Sequence, residues 1–279
     1  MSFLIGTILF ILLQGHGISM TVTPAGLHPG SPFMLSIQGL VTGTTYNVEF
    51  DKRALSVSGT GSTDLLLGID LGHPPGTDQV NLYAQGITMP ITFTTVQVQG
   101  YAYPNQYLKL PKHFVELTPF QLKRVLKEQA KLDRIFAADK TRPLWQMGFI
   151  MPVNGIITTP FGVKRFLNGE QRSPHTGIDI AAGIGTPVMA TNNGIVCFTG
   201  DMFFGGKSVV IDHGQGIYSM YFHLRNYTVK KGMRVKKSQV IGYVGMTGRV
   251  TGPALHFGIR VMDSRVDPQL LFSLTPKIQ

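Results

Sequence analysis

His175 and Asp179 stand four residues apart in His175-Thr176-Gly177-Ile178-Asp179, and His256 lies far downstream in Ala254-Leu255-His256-Phe257. Two imidazoles and a carboxylate suit a catalytic zinc, which takes three protein ligands and leaves a fourth position for water. Gly177, Ile178 and Ile180 argue against a helix here, and in an extended chain the side chains at i, i+2 and i+4 share one face. His175 and Asp179 are thereby predicted to meet one ion. The same period of two through 217–223 groups Ser219, Tyr221 and His223 against Tyr218, Met220 and Phe222. In 254–259 it sets Ala254 and His256 opposite Leu255 and Phe257.

Other runs accompany these residues in a fixed order: Phe161-Gly162, Gly185-Thr186-Pro187-Val188, Val210-Ile211-Asp212-His213-Gly214, Tyr221-Phe222-His223-Leu224 and Gly242-Tyr243-Val244-Gly245-Met246-Thr247-Gly248. Over residues 148–272 the chain resembles the lysostaphin-like zinc metalloendopeptidases, which cut the peptide bridges of bacterial peptidoglycan. The resemblance implies one zinc per chain held by His175, Asp179 and His256. It implies that His223 is one of two non-ligand catalytic histidines, and that a second imidazole belongs where Ala254 stands. An alanine there has two origins to weigh: deliberate inactivation, or natural drift into a pseudoenzyme that activates or scaffolds cell-wall hydrolases. Retention of all three ligands favours an inactivated variant. Because a positioned histidine is worth about 10²–10⁴ in rate, the chain is expected to bind zinc but to hydrolyse poorly. A third reading is a wall-binding module without metal.

The remaining histidines carry no such pattern. His213 sits at a predicted strand end and is read as a turn residue, and His16, His28, His73 and His113 have no partner motif. Tyr221 is expected either to line the site or to pack. Two apparent nucleotide motifs fail. Gly205-Gly206-Lys207-Ser208 ends like a phosphate loop, but Asp201 occupies the place of its first glycine and a strand follows. The glycines of 242–248 are wrongly spaced.

With 279 residues, 43% of them hydrophobic, and 33 Gly beside 17 Pro, the chain is long enough for two compact domains and rich in loops, as β proteins are. A formal charge of +10 favours an anionic partner or surface, here the cell wall or an acidic lipid face. The single cysteine, Cys197, cannot close an internal disulfide and is read as a buried strand residue. Residues 3–13 are an apolar run, short for a membrane span and suited to the core of an export signal, with Gly17 and Ser19 as the small residues before a cleavage. No Lys or Arg precedes that run. Export to the periplasm or cell envelope is expected, since peptidoglycan lies outside the cytoplasmic membrane.

The fold class expected is mainly β in four stretches. Residues 1–19 are a possible signal segment. Residues 20–98 show short alternating runs at 33–37, 46–50, 64–69, 79–83 and 92–96, which predict an immunoglobulin-like β-sandwich. Residues 99–147 are a linker with one helix: Thr118 and Gln121 form a capping box, Pro119 suits the first turn, and Leu122, Val125, Leu126, Leu132, Ile135 and Phe136 trace an apolar stripe expected to dock. Its lysines and arginines lack aromatic platforms or a reading motif, so no nucleic-acid partner is expected. Residues 148–279 are the metallopeptidase part, predicted as an antiparallel sheet without further helices, its strands near 186–200, 207–213, 217–224, 239–244 and 255–262 and the zinc in a groove across it. The stretch before residue 148 is a candidate to lie over that groove.

Overall fold

A computed structural model of the chain describes residues 17–109, 116–137, 142–146 and 148–274. The apolar run at 3–13, His16 and His113 lie outside them. The fold is mainly β and nearly all its strand pairs are antiparallel.

The front of the chain forms two sheets. β1 (Ser19–Thr23), β2 (Pro32–Leu40) and β5 (Gly61–Gly68) make one, in the order β1-β2-β5, and β1 begins on the last residue of the expected leader. β3 (Thr45–Phe50), β4 (Arg53–Ser58), β6 (Gly76–Ala84) and β7 (Thr92–Val98) make the other, ordered β4-β3-β6-β7. Alternation decides what is buried: Phe33, Leu35 and Ile37 from β2 meet Tyr46, Val48 and Phe50 from β3 and Val80 and Leu82 from β6 in one core. The two-residue turn of the β3–β4 hairpin, Asp51 (φ 45°) and Lys52 (φ 62°), has the left-handed backbone that matches strand twist.

Next comes β8 (Asn105–Leu108), which sequence reading left inside a linker. It pairs in parallel with β10 (Lys164–Leu167), which pairs with β11 (Glu170–Gln171). Helix α1 (Pro119–Phe136) starts as predicted, with Thr118 and Gln121 bonding each other's backbone N–H. Its apolar stripe docks only in its C-terminal half. Leu132 and Phe136 are buried against Phe198, Val210, Tyr218 and Met220, whereas Leu122 and Leu126 are exposed. Nearer its start the helix is held by polar contacts: Glu128 accepts from Phe203 N at 2.8 Å and Arg124 donates to the Asp201 carbonyl at 3.0 Å.

The rear is a ten-stranded antiparallel sheet. Its central path places β17 (Arg234–Val235), β14 (Gly194–Met202), β15 (Gly206–Asp212), β16 (Ile217–Tyr227), β19 (Ala254–Val261), β12 (Ile178–Ala181) and β9 (Ile156–Thr159) side by side. β13 (Pro187–Met189) pairs β18 (Val240–Val244), and β20 (Ser264–Val266) closes a hairpin with β19. The run expected at 186–200 is therefore two strands. A short helix α2 (Pro268–Leu274), absent from the sequence prediction, follows β20, with Asp267 Oδ1 accepting from Gln269 N at 2.8 Å.

The two halves share their interiors. β5 sends Leu65 and Leu67 into the front core and Leu66 into the rear one, while Met262, at the β19–β20 turn, is buried in the front core. Beside this crossing the Arg265 backbone N and Nε each donate to Asp70 Oδ2 at 2.9 Å. Burial pushes the Asp70 carboxyl up, but Arg265 outweighs it and holds the pKa down at about 2. No helix among the described residues is long and apolar enough to cross a membrane.

Candidate metal centre

β12 and β19 lie antiparallel with Asp179 directly opposite His256, both on the outer face, while Ile178, Ile180, Leu255 and Phe257 fill the core. Ala254 lies on the His256 face, opposite Ala181. His175, just before β12, is fixed by its backbone: its N donates to the Val163 carbonyl at 2.9 Å and its O accepts from Gly162 N at 2.8 Å. Gly177 lets this loop close. A Cβ there would stand 2.4 Å from the Phe257 carbonyl oxygen and 2.9 Å from His256 Nε2.

The three side chains converge. His175 Nε2 is 3.0 Å from Asp179 Oδ1 and 2.9 Å from His256 Nδ1, and His256 Nδ1 is 2.8 Å from the same carboxylate oxygen. His175 Nδ1 is 2.8 Å from the Pro160 carbonyl, which can only accept, so that nitrogen carries the proton and Nε2 turns a lone pair inward. His175 Nε2 and Asp179 Oδ1 are then two acceptors in contact, and at most one proton, on His256 Nδ1, can serve the whole triangle. A cation resolves this crowding. Edges of 2.8–3.0 Å are near the spacing of about 3.3 Å between donors placed around a tetrahedral zinc. Two nitrogens and one carboxylate oxygen are a donor set that zinc accepts, so the residues present fit the ion.

The surroundings orient the triangle. The Pro160 carbonyl holds His175, Arg165 Nη2 donates to Asp179 Oδ2 at 3.1 Å, and the Phe222 ring stacks on His256 at 5.5 Å with 12° between planes. Burial opposes ionisation of Asp179, yet the hydrogen bond it accepts from His256 Nδ1 helps to hold its carboxyl well below the usual carboxylate range. Burial, the neighbouring His175 and Arg165 lower His256 against the pull of Asp179.

His223 faces the same opening, its ring 6.2 Å from that of His256. The route there differs from the alternation expected. Tyr221 and Ser219 point into the interior, and strict alternation would have buried His223 with them. A bulge intervenes: the β15–β16 register shifts between Lys207 and Val209, and His223 takes φ 63°. Phe222 and His223 thus both serve the outer face. His223 Nδ1 donates to the Thr247 carbonyl at 2.9 Å, leaving Nε2 as the basic nitrogen. Burial and the nearby His256 push its pKa down to about 4, so the ring is neutral near pH 7.

Of the remaining residues singled out earlier, Tyr221 packs: its hydroxyl accepts from Thr191 N at 2.8 Å and lies 3.0 Å from Ser219 Oγ. His213 is fully buried, with Nδ1 2.6 Å from the Asn193 carbonyl and Nε2 2.7 Å from Ser219 Oγ. His28 stacks on Tyr101, His73 pairs with Asp78, and Cys197 is half-buried on β14. Among the described residues, His175, Asp179 and His256 are the group of acidic, His or Cys side chains placed to hold a metal ion. Their opening, about 600 Å³, is walled partly by Gln106, Leu108 and Leu117 from the stretch before residue 148. Sequence reading missed Pro160 and Thr247, which act through backbone carbonyls, and Arg165 and Phe222, which reach the site from other strands, Phe222 directly opposite His256.

The model of peptidase family M23 matches residues 173–268. Among curated proteins the chain is 38% identical over 122 residues to the DD-carboxypeptidase/endopeptidase Mpg of Neisseria meningitidis serogroup B, spanning 44% of this chain and 28% of Mpg. It is 46% identical over 106 residues to the peptidoglycan DD-endopeptidase ShyA of Vibrio cholerae, spanning 38% of this chain and 25% of ShyA. These matches thus cover about a quarter of the length of the curated relatives. A solved Pseudomonas aeruginosa structure assigned to peptidase M23 is similar over most of both chains, with 30% identity, 88% of this chain and 95% of that one covered, and a TM-score of 0.69. With that coverage joined to the family match around the His–Asp–His triangle, the chain belongs to peptidase family M23.

Proposed function

We propose that this chain is a zinc metalloendopeptidase of bacterial peptidoglycan in which Ala254 strongly reduces turnover. The observation that carries the reading is the triangle of donors with its single available proton, supported by the peptidoglycan activity named for ShyA. His175, Asp179 and His256 are the ligands in this proposal. A zinc bound there supplies Lewis acidity toward a peptide carbonyl and toward water. The chain's own residues do the rest. Arg165 aims Asp179 by donating to its second oxygen, and Phe222 fixes the His256 ring. His223 Nε2 accepts the proton of the attacking water, its ring held by the Thr247 carbonyl, and then stabilises the oxyanion as a cation. The partner imidazole is missing at 254, so one ring must perform work otherwise divided between two. The substrate lies outside the cytoplasmic membrane, so the proposal includes export to the periplasm or cell envelope, with the front sandwich, read as immunoglobulin-like, as a positioning module.

Two measurements test this. Purified protein should carry one zinc per chain, and Ala254→His should raise the release of soluble peptides from peptidoglycan by about 10²–10⁴. A metal-loaded, folded Ala254→His protein with no gain would refute the assignment of 254. Ala254 itself favours a second reading, a natural pseudoenzyme that activates or scaffolds cell-wall hydrolases. Wild-type stimulation of a separate wall hydrolase, without turnover of its own, would support it.

A further inference from the structure

The front sandwich has one end joined to the rear half and one end free. At the joined end Arg53 Nη1 donates to Ser264 Oγ at 2.8 Å and Asp70 holds Arg265. At the free end lie the entry to β1, the β2–β3 loop (41–44), the β4–β5 loop (59–60) and the β6–β7 loop (85–91). Backbone bonds gather these loops: Gly59 N donates to the Thr44 carbonyl at 2.7 Å and Gln85 N to the Thr45 carbonyl at 2.9 Å. None of them contains Asp, Glu, Lys, Arg or His, and the sequence has none from 79 to 108. On the strands that reach this end the nearest charged side chain is Asp64, set back on β5 behind Gly61, Ser62 and Thr63. Apolar side chains project there instead. Met89 is 75% exposed, Phe93 54% and Ile87 52%, and Ile91 and Val41 are exposed beside them. A lone exposed apolar residue is ordinary, whereas five at one end of a module with no charge among them mark a contact surface.

We infer that this end of the sandwich dips into the headgroup–acyl boundary of a lipid bilayer, and that apolar contact, not the net positive charge of the chain, drives the binding. Three observations favour lipid over a protein partner. The apolar side chains stand on loop tips and next to them, a convex arrangement suited to a soft medium that closes around it. Their neighbours at 42–44 and 58–61 are Thr, Ser and Gly, without the arginine and large aromatic anchors that protein interfaces favour. The apolar run at 3–13 precedes β1 in the sequence, and β1 starts at this same end, with Ser19 opposite Gln38. Insertion is also inexpensive for the backbone of the longest loop, because Ile87 N already donates to the Ala84 carbonyl at 3.0 Å and Ile91 N to the Leu82 carbonyl at 2.8 Å. The binding does not depend on the peptidase reading. Its consequence for that reading is spacing: the nine residues of β2 run from the joined end to the free one, about 30 Å at the rise of a strand, and hold the rear half off the lipid by that length.

The test is flotation of the full chain with vesicles of phosphatidylcholine, which carry no net charge. The unaltered chain should float with them, and raising the salt to about 0.5 M should change the bound fraction less than about twofold, since screening acts only on charges. Met89→Asp should weaken binding about 10–100-fold, the loss expected when one large apolar side chain is withheld from an apolar medium. Ile87→Ser, which adds no charge, should weaken it in the same direction. Gln97→Glu lies at the other end of β7, adds the same charge as Met89→Asp and keeps an acceptor for Thr77 Oγ1, so it should bind like the parent. Melting temperature is followed in every variant, and exposure of the substituted side chains spares the fold. Failure of the unaltered chain to float, equal flotation of the parent and both tip variants, or release by salt overturns the inference. A dimer that Met89→Asp disperses, with no flotation, assigns this end to a second copy of the chain and overturns it as well.

Discussion

Replacing Asp70 by Asn should loosen the joint between the two halves by a predictable amount. In the folded chain Arg265 holds this carboxyl at about 2 against an ordinary 3.8. A gap of nearly two units, at 1.36 kcal/mol each, corresponds to stabilisation on the order of 2 kcal/mol at neutral pH. The carboxylate side chain is 17% exposed and the guanidinium 29%, so solvent screening trims the figure only modestly. Because the folded value is depressed, the contribution is complete above about pH 4 and disappears as pH falls toward about 2. For a chain of this length each kcal/mol moves the melting temperature by roughly 2–4 °C. Asp70→Asn should therefore melt several degrees lower at pH 7, and the difference from the unaltered chain should narrow between pH 4 and pH 2. Differential scanning calorimetry in the presence of a chelator isolates the effect from any bound metal. A melting difference that stays constant from pH 7 to pH 2, or an Asn variant as stable as the parent, would refute the argument.

Other consequences follow from contacts already described. Gly177→Ala should weaken zinc binding about 10–100-fold, as measured by competition with a chromophoric chelator, because its methyl group collides with the Phe257 carbonyl and displaces His256. Tyr221→Phe strands the Thr191 N–H in the core and should cost about 1–3 kcal/mol in urea unfolding, with zinc content unchanged. Met262→Ala opens a cavity in the front core from a residue that belongs to the rear sheet, and should cost about 2–5 kcal/mol by the same assay.

Much of the candidate site was legible because it depends on period two. Asp179, Ala254 and His256 share the outer face of β12 and β19 as alternation predicts, whereas His175 joins them from the loop before β12, where period two does not apply. His223 is the instructive exception. It reaches the opening through a bulge created where two loops press together: Gly206 (φ 59°) and Gly248 (φ 75°) approach so closely that a Cβ on Gly206 would lie 2.3 Å from the Thr247 carbonyl carbon. His223 N then donates to the Gly205 carbonyl at 2.7 Å and the ring to Thr247. Those contacts join segments far apart in the chain, and a local pattern cannot announce them. Helix α1 shows the same limit. Its start is written in Thr118, Pro119 and Gln121, but how much of its stripe is covered depends on where Phe198, Val210 and Tyr218 happen to lie. For α2 a signal was present and overlooked: Asp267 before Pro268 is a cap followed by a favoured first residue. The parallel partner of β8 had no such signal, since a short strand in a polar stretch acquires meaning only beside β10.

Alternate leucines of β5 answer to different interiors, and that has a bearing on how such a chain can change. Drift at 65–67 is policed from two sides at once. A recombination event that exchanged the front for an unrelated module would strip the rear of Leu66 and leave Met262 stranded in water. The chain should therefore be inherited, and should melt, as one piece.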